Sequence, residues 1–181
     1  MRHNADKDVQ NLDAAALEQL ALRYVTRYAT TQQRLYDYLL RKCRAKGGLP
    51  DRDVIDIIVQ KMVLAGFVDD LSYAEMRTGA LLRRGYGARR IGHSLRQAGI
   101  SAETTHDMIA IAPLSTREAA IRFAQRRKLG PFTQRPETPQ SRQRDFSALL
   151  RAGHDFEDAR AVMQMIVEKD EEDEIKGLAL D

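Results

Sequence analysis

Five arginines fall within the twenty residues LLRRGYGARRIGHSLRQAGI at positions 81–100: Arg83, Arg84, Arg89, Arg90 and Arg96. Paired guanidiniums grip phosphates or carboxylates through forked hydrogen bonds. Tyr86, between Gly85 and Gly87, adds a ring that either stacks on a base, packs into a protein groove or caps the contact between two helices. Arg122, Arg126 and Arg127 form a second basic set further along the chain. The chemistry on offer is recognition of a polyanion or an acidic protein surface, not the making or breaking of bonds.

Catalytic and cofactor patterns do not emerge. Arg90 stands where a GxGxxG dinucleotide fingerprint needs its third glycine, and GxxxxGK[ST] does not occur. His3, His93, His106 and His154 have no zinc-ligand spacing, and Cys43 shares an apolar stripe with Leu35 and Leu39, which makes it a core residue. Asp69 and Asp70 stand directly before an apolar stripe and read as a helix cap rather than a metal or acid–base pair. The expectation is therefore a non-enzyme with no catalytic residue, no metal and no cofactor.

The charge distribution supports this. The net charge of the 181 residues is only +3, but it is segregated. Six arginines face one glutamate over 71–100, nine basic residues face three acidic ones over 117–151, and ten acidic residues face three basic ones over 155–181. A basic middle with an acidic end suggests a polyanionic or acidic partner. A single cysteine and the lack of any long apolar run point to a soluble cytoplasmic protein off the membrane, expected to be a monomer.

The elements that must position these side chains are helical, and no alternating strand pattern is evident. The spacing predicts helices over about 13–28, after Thr30 and Thr31, and from Asp51 to the stop at Gly66. Thr30-Thr-Gln-Gln33 reads as a capping box, and Gly47–Gly48 as a stop. The pattern restarts with a helix ending at Arg84 and Gly85, one from Ala88 to Ala98 ended by Gly99, and one from Ser101 to about Ala112. A third round runs from the capping box Ser115–Glu118 to Lys128. The polar, proline-containing stretch 133–143 follows as a loop, then a helix from about Arg142 to Ala152 ended by Gly153. The last helix is capped by Asp155 and carries Phe156, Val162, Met163 and Ile166.

Arg34–Leu35…Leu39, Arg90–Ile91…Leu95 and Asp145–Phe146…Leu150 recur about 55 residues apart. Matching Gly99 to Gly153 requires a one-residue slip in this alignment. The expected fold class is all-α, an elongated array of three tandem three-helix repeats: 12–66, 67–112 and 115–168, followed by an acidic tail over 169–181. Short three-helix units bury little surface alone and gain stability by stacking.

Residues 66–101, GFVDDLSYAEMRTGALLRRGYGARRIGHSLRQAGIS, resemble the signature of the RecX family, bacterial modulators of the RecA recombinase. Phe67, Val68, Asp69, Asp70, Tyr73, Ala74, Gly85, Gly87, Ile91, Leu95, Gly99 and Ile100 occupy its places. RRKLGPF, from Arg126, is similar to the basic, glycine-ended helix of that family's third repeat. The acidic end after Glu168 and the prolines at 136–139 depart from the pattern. The resemblance implies a non-catalytic regulator lying in the groove of RecA–DNA filaments and bridging protomers. It would limit filament growth, or promote disassembly, and depress ATP hydrolysis and strand exchange. Weak, non-specific binding to single- and double-stranded DNA is also expected.

The rival from another class is a free-standing helix–turn–helix DNA-binding regulator using the helix from Ala88 to Ala98. Arg89 and Arg96 could read guanine there, but no Asn or Gln accompanies them. Arg89 and Arg90 also occupy a first helical turn, where cations oppose the helix dipole by roughly 0.3–1 kcal/mol each. Acidic residues are the local preference, so both arginines read as functional.

Overall fold

The computed structural model describes residues 12–46, 49, 51–111 and 116–165. Among the described residues there are nine α-helices and no strand: α1 Ala14–Val25, α2 Gln32–Ala45, α3 Arg52–Leu64, α4 Asp70–Arg83, α5 Ala88–Arg96, α6 Ala102–Ala110, α7 Thr116–Arg127, α8 Pro139–Arg151 and α9 Phe156–Gln164. A single 3-10 turn, Gly130–Phe132, separates α7 from α8.

Most helices start where a short polar side chain can satisfy a free amide two or three residues on. Asp13 accepts from Ala16 at 2.7 Å, Asp51 from Val54 at 3.3 Å, Ser101 from Thr104 at 3.0 Å and Asp155 from Asp158 at 2.8 Å. Asp69 accepts from the amides of Leu71 and Ser72 and from the Ser72 hydroxyl at 2.7 Å. These bonds to Ser72 and Leu71 hold its carboxyl below the usual range. The aspartate pair is thus structural, as expected, but its members divide the work: Asp70 accepts from the amide of Gln32 at 2.9 Å and caps α2.

The capping box expected at 30–33 does not form as such. Thr31 is the cap, accepting from Arg34, while the Gln33 side chain donates to Asp37 at 3.1 Å instead of reaching back. Asp70 instead satisfies the next free amide, that of Gln32. The loop expected up to residue 143 is also shorter. α8 begins at Pro139, with Thr138 and Ser141 in a reciprocal capping box. Proline is tolerated there because the first helical turn has no use for its missing N–H. α1 stops at Val25, short of the expected 28, and Tyr28 is 50% exposed; Phe156 is likewise exposed. Gly47, Gly48, Pro50, Ala112, Ser115, Ile166 and the acidic tail lie outside the described residues.

Two compact units divide the chain. Residues up to Thr78 with His93–Ala110 form the first; Gly79–Gly92 with residues from Ile111 onward form the second. The grouping therefore cuts through α4 and α5, where the sequence repeat has no break. In the first unit, Leu17, Ala21, Leu35, Leu39, Cys43, Ile55, Ile58, Met62 and Val68 make one core. Burial pushes the Cys43 thiol up. In the second, Ala120, Phe123, Ala124, Leu129, Leu149, Ala159, Val162 and Met163 make another.

The slip in the sequence repeat has a structural reason. The buried pairs are Leu35/Leu39, Ile91/Leu95 and Asp145/Leu149, so Asp145, not Phe146, takes the place of a core aliphatic residue. Its carboxylate is not left bare: it accepts from the Gly130 amide at 2.9 Å and lies 3.5 Å from the Arg144 guanidinium.

Candidate functional site

The Gly85–Gly87 turn is built by its own unit. Gly85 has φ +75°, and an added Cβ would lie 2.6 Å from the Phe123 amide nitrogen. The Gly87 amide donates to the carbonyl of Ala152 at 3.0 Å, and that of Arg89 to the carbonyl of Gly153 at 3.2 Å. An added Cβ on Gly87 would overlap the Gly153 carbonyl, and one on Gly153 (φ +93°) would overlap the backbone of Arg90. Glycine is thus required on both sides of a backbone-to-backbone approach. Below it, His154 is 2% exposed, and its Nε2 lies 3.0 Å from the Gly85 carbonyl. A carbonyl only accepts, so Nε2 carries the hydrogen. Nδ1 is buried with no hydrogen-bond partner among the described residues. Burial lowers the His154 pKa, outweighing the opposing influence of Gly85, Asp158 and Asp155.

The same join occurs at the other end of α5. In the first unit, the Thr31 hydroxyl at the start of α2 donates to the Ala98 carbonyl, and an added Cβ on Gly99 would overlap Gln33. In each join, carbonyls just past the end of one middle helix meet the start of another. The negative end of one helix dipole thus faces the positive end of the next. Arg89 and Arg90 therefore sit beside the carbonyl end of α8 as well as in the first turn of α5. Their position costs less than the sequence suggested, because the second dipole offsets the first.

The expected site residues divide as follows. Arg83, Arg84, Arg89, Arg90, Arg96, Arg122, Arg126 and Arg127 are all exposed. Tyr86 is half-buried, with its ring tilted against Phe123 at a centroid distance of 5.6 Å. Arg126 and Arg127 line a cleft of about 430 Å³ with Lys128, Arg135, Arg144 and Arg151, and buried Asp145 also lines it. Among the described residues, no acidic side chain lies within ion-pair range of Arg126, Arg127, Arg135 or Arg151. Five arginines and a lysine, with one buried, already engaged carboxylate, make an anion-attracting concavity. Arg135, Arg144 and Arg151 were missed as site residues. Their signal was the basic excess over 117–151, which counted them without placing them.

The helix–turn–helix reading needs the leading turn of α5 to face base edges. There the amides of Gly87 and Arg89 are bound to the carbonyls of Ala152 and Gly153, while the side chains of Arg89 and Arg90 are exposed. Among the described residues, no group of three or more His, Cys, Asp or Glu could hold a metal ion, and no helix is long and apolar enough to cross a membrane.

Comparisons with known proteins converge on the signature region and then extend beyond it. The family profile described as RecX, second three-helix domain, matches residues 69–107. The regulatory protein RecX of Myxococcus xanthus (strain DK1622) is 33% identical over 171 residues, covering 90% of this chain and 91% of that protein. The regulatory protein RecX of Agrobacterium fabrum (strain C58 / ATCC 33970) is 28% identical over 146 residues, 78% of each chain. Among solved structures, RecX from Lactobacillus salivarius is similar with a TM-score of 0.63 at 19% identity, covering 83% of this chain and 94% of that one. A second RecX crystal structure gives a TM-score of 0.63 over 84% and 74%. At that identity the structures speak to the fold, which they share with the all-helical architecture found here. With a relative this similar across nine-tenths of both chains, the protein belongs to the RecX family of regulatory proteins.

Proposed function

We propose that this protein regulates RecA by binding RecA–DNA filaments, limiting their growth and depressing ATP hydrolysis and strand exchange without catalysing a reaction itself. Membership of the RecX family over nearly the whole chain carries the reading. The exposed arginines supply its contacts: Arg83, Arg84, Arg89, Arg90 and Arg96 around the Gly85–Gly87 turn and on α5, and Arg122, Arg126 and Arg127 on α7. Arg135, Arg144 and Arg151 join them through the cleft. DNA alone is bound weakly and without sequence preference, because the arginines match phosphates and no base-reading set accompanies them. The protein acts as a cytoplasmic monomer built of three-helix repeats over 12–66, 67–112 and 115–168.

Co-sedimentation with RecA–single-stranded-DNA filaments, with and without an ATP analogue, tests this reading. Pelleting that requires the pre-formed filament is expected. Failure to pellet with filaments, together with a footprint on one duplex sequence, overturns it in favour of a free-standing DNA-binding regulator.

A further inference from the structure

A groove of about 550 Å³ on α1 and α2 is lined by Leu20, Arg23, Tyr24, Arg27, Tyr28 and Tyr38. Its chemistry differs from that of the arginine cleft. The rings of Tyr24 and Tyr38 are stacked, with centroids 4.2 Å apart and planes 17° from parallel. Tyr28 tilts against Tyr24 at 5.3 Å. Cations attend both outer rings: the Arg27 guanidinium is 5.5 Å from the Tyr28 centroid, and the Lys42 ammonium 5.5 Å from that of Tyr38. Among the described residues, no acidic side chain lines the groove.

Tyr24 and Tyr38 lean on the core of the first unit and are held by it. Tyr28 lies just beyond the end of α1 and keeps half its surface open. A half-exposed tyrosine, braced by Tyr24 and Tyr38 and with the exposed Arg27 guanidinium over its ring, combines the two parts that hold an unpaired nucleotide. The π-face takes the base, and the cations take the phosphates on either side. Duplex DNA keeps its base faces inside the stack and cannot use the ring.

We propose that this groove is a stacking site for unpaired bases of single-stranded DNA, with Tyr28 as the stacking ring and Arg23, Arg27 and Lys42 as its phosphate contacts. The site shares no residue with the arginine cleft and does not depend on the filament reading.

The test compares the full-length protein's affinity for a labelled dT oligonucleotide of roughly a dozen nucleotides, within the range of strand lengths such sites cover, with that for an abasic strand of equal length and charge. The wild type is expected to prefer dT by about tenfold, the effect of one stacked base. Tyr28→Phe keeps the preference because the ring remains. Tyr28→Ala abolishes it while still binding both strands through charge. The chain contains no tryptophan, so tyrosine emission reports directly: dT quenches it in the wild type and much less in Tyr28→Ala. Equal affinity of the wild type for dT and abasic strands overturns the proposal whatever the fate of the variants. So does a dT preference that survives Tyr28→Ala. Loss of filament binding with the dT preference intact would count against the filament reading alone.

Discussion

The amide of Arg89 is bound to the carbonyl of Gly153, sixty-four positions later in the chain, at 3.2 Å. The start of α5 is therefore capped by the chain just beyond α8, and the two arginines of its first turn stand between opposed helix ends. Replacing both Arg89 and Arg90 with Glu improves the match to the α5 dipole and worsens that to α8. The two effects are each about 0.3–1 kcal/mol per charge and oppose one another. The double variant should melt within a few degrees of wild type, rather than gain the small stability that the sequence suggested. Its filament affinity should fall sharply, as attraction becomes repulsion. A thermal melt alongside co-sedimentation separates the two; a large drop in melting temperature would make these arginines structural.

The cleft makes a separate prediction. If about four phosphates of a single strand are contacted, the log–log salt dependence of DNA affinity should have a slope near −3. Arg126→Ala with Arg127→Ala removes two of these contacts and should flatten the slope by about 1.4. Titration of a labelled single strand at several salt concentrations measures this. An unchanged slope would move the phosphate contacts away from the cleft.

His154 predicts a pH dependence of stability. Its folded pKa is lowered by burial, so the native state resists the proton that the unfolded chain accepts. The stability linked to this group is fully present above the unfolded value of about 6.5. It is lost as the pH falls from there through the depressed folded value. The melting temperature should decline on acidification below about pH 6.5, and His154→Gln should show a shallower decline. Parallel curves for the two proteins would remove His154 from the account.

Leu95 and Leu149 hold equivalent buried positions, both 0% exposed. Truncation of either to alanine should cost about 2–5 kcal/mol. Gly153→Ala should cost a comparable amount by another route, since its methyl group meets the backbone of Arg90 and its φ is +93°. Urea unfolding of the three variants checks all of these; a Gly153→Ala protein as stable as wild type would mean that the join can open without loss.

What could be read from the sequence was what neighbours in the chain decide. Asp13, Asp51, Asp69, Ser101 and Asp155 announced their helices because a cap acts over two or three residues. Leu35, Leu39, Ile91 and Leu95 announced the core by helical spacing. The start of α8 was hidden by Pro139, which looks like a loop residue unless it occupies the first helical position. Asp70 at the start of α2 and Ala152–Gly153 at the start of α5 were invisible because the partners come from far along the chain. The dipole argument for Arg89 and Arg90 was sound locally and incomplete for that reason. Arg135, Arg144 and Arg151 were visible as charge but not as one wall, because only the fold around α7 and α8 gathers them. Nothing in the spacing of Tyr24, Tyr28 and Tyr38 revealed that one of the three stays half open to solvent.

The close approach of Gly87 and Gly153 bears on how such a sequence can evolve. When two side chains collide, a smaller neighbour can restore the fit, and paired substitutions leave the fold unharmed. Here each missing side chain would strike main chain, which no substitution elsewhere can shrink. Neither position has a compensating partner, so the join is a fixed point in sequence space. The arginine-bearing surfaces are under no such restriction. Charges there can be gained, lost or moved while the backbone join holds, allowing the surface to be retuned to a diverging partner without rebuilding the fold.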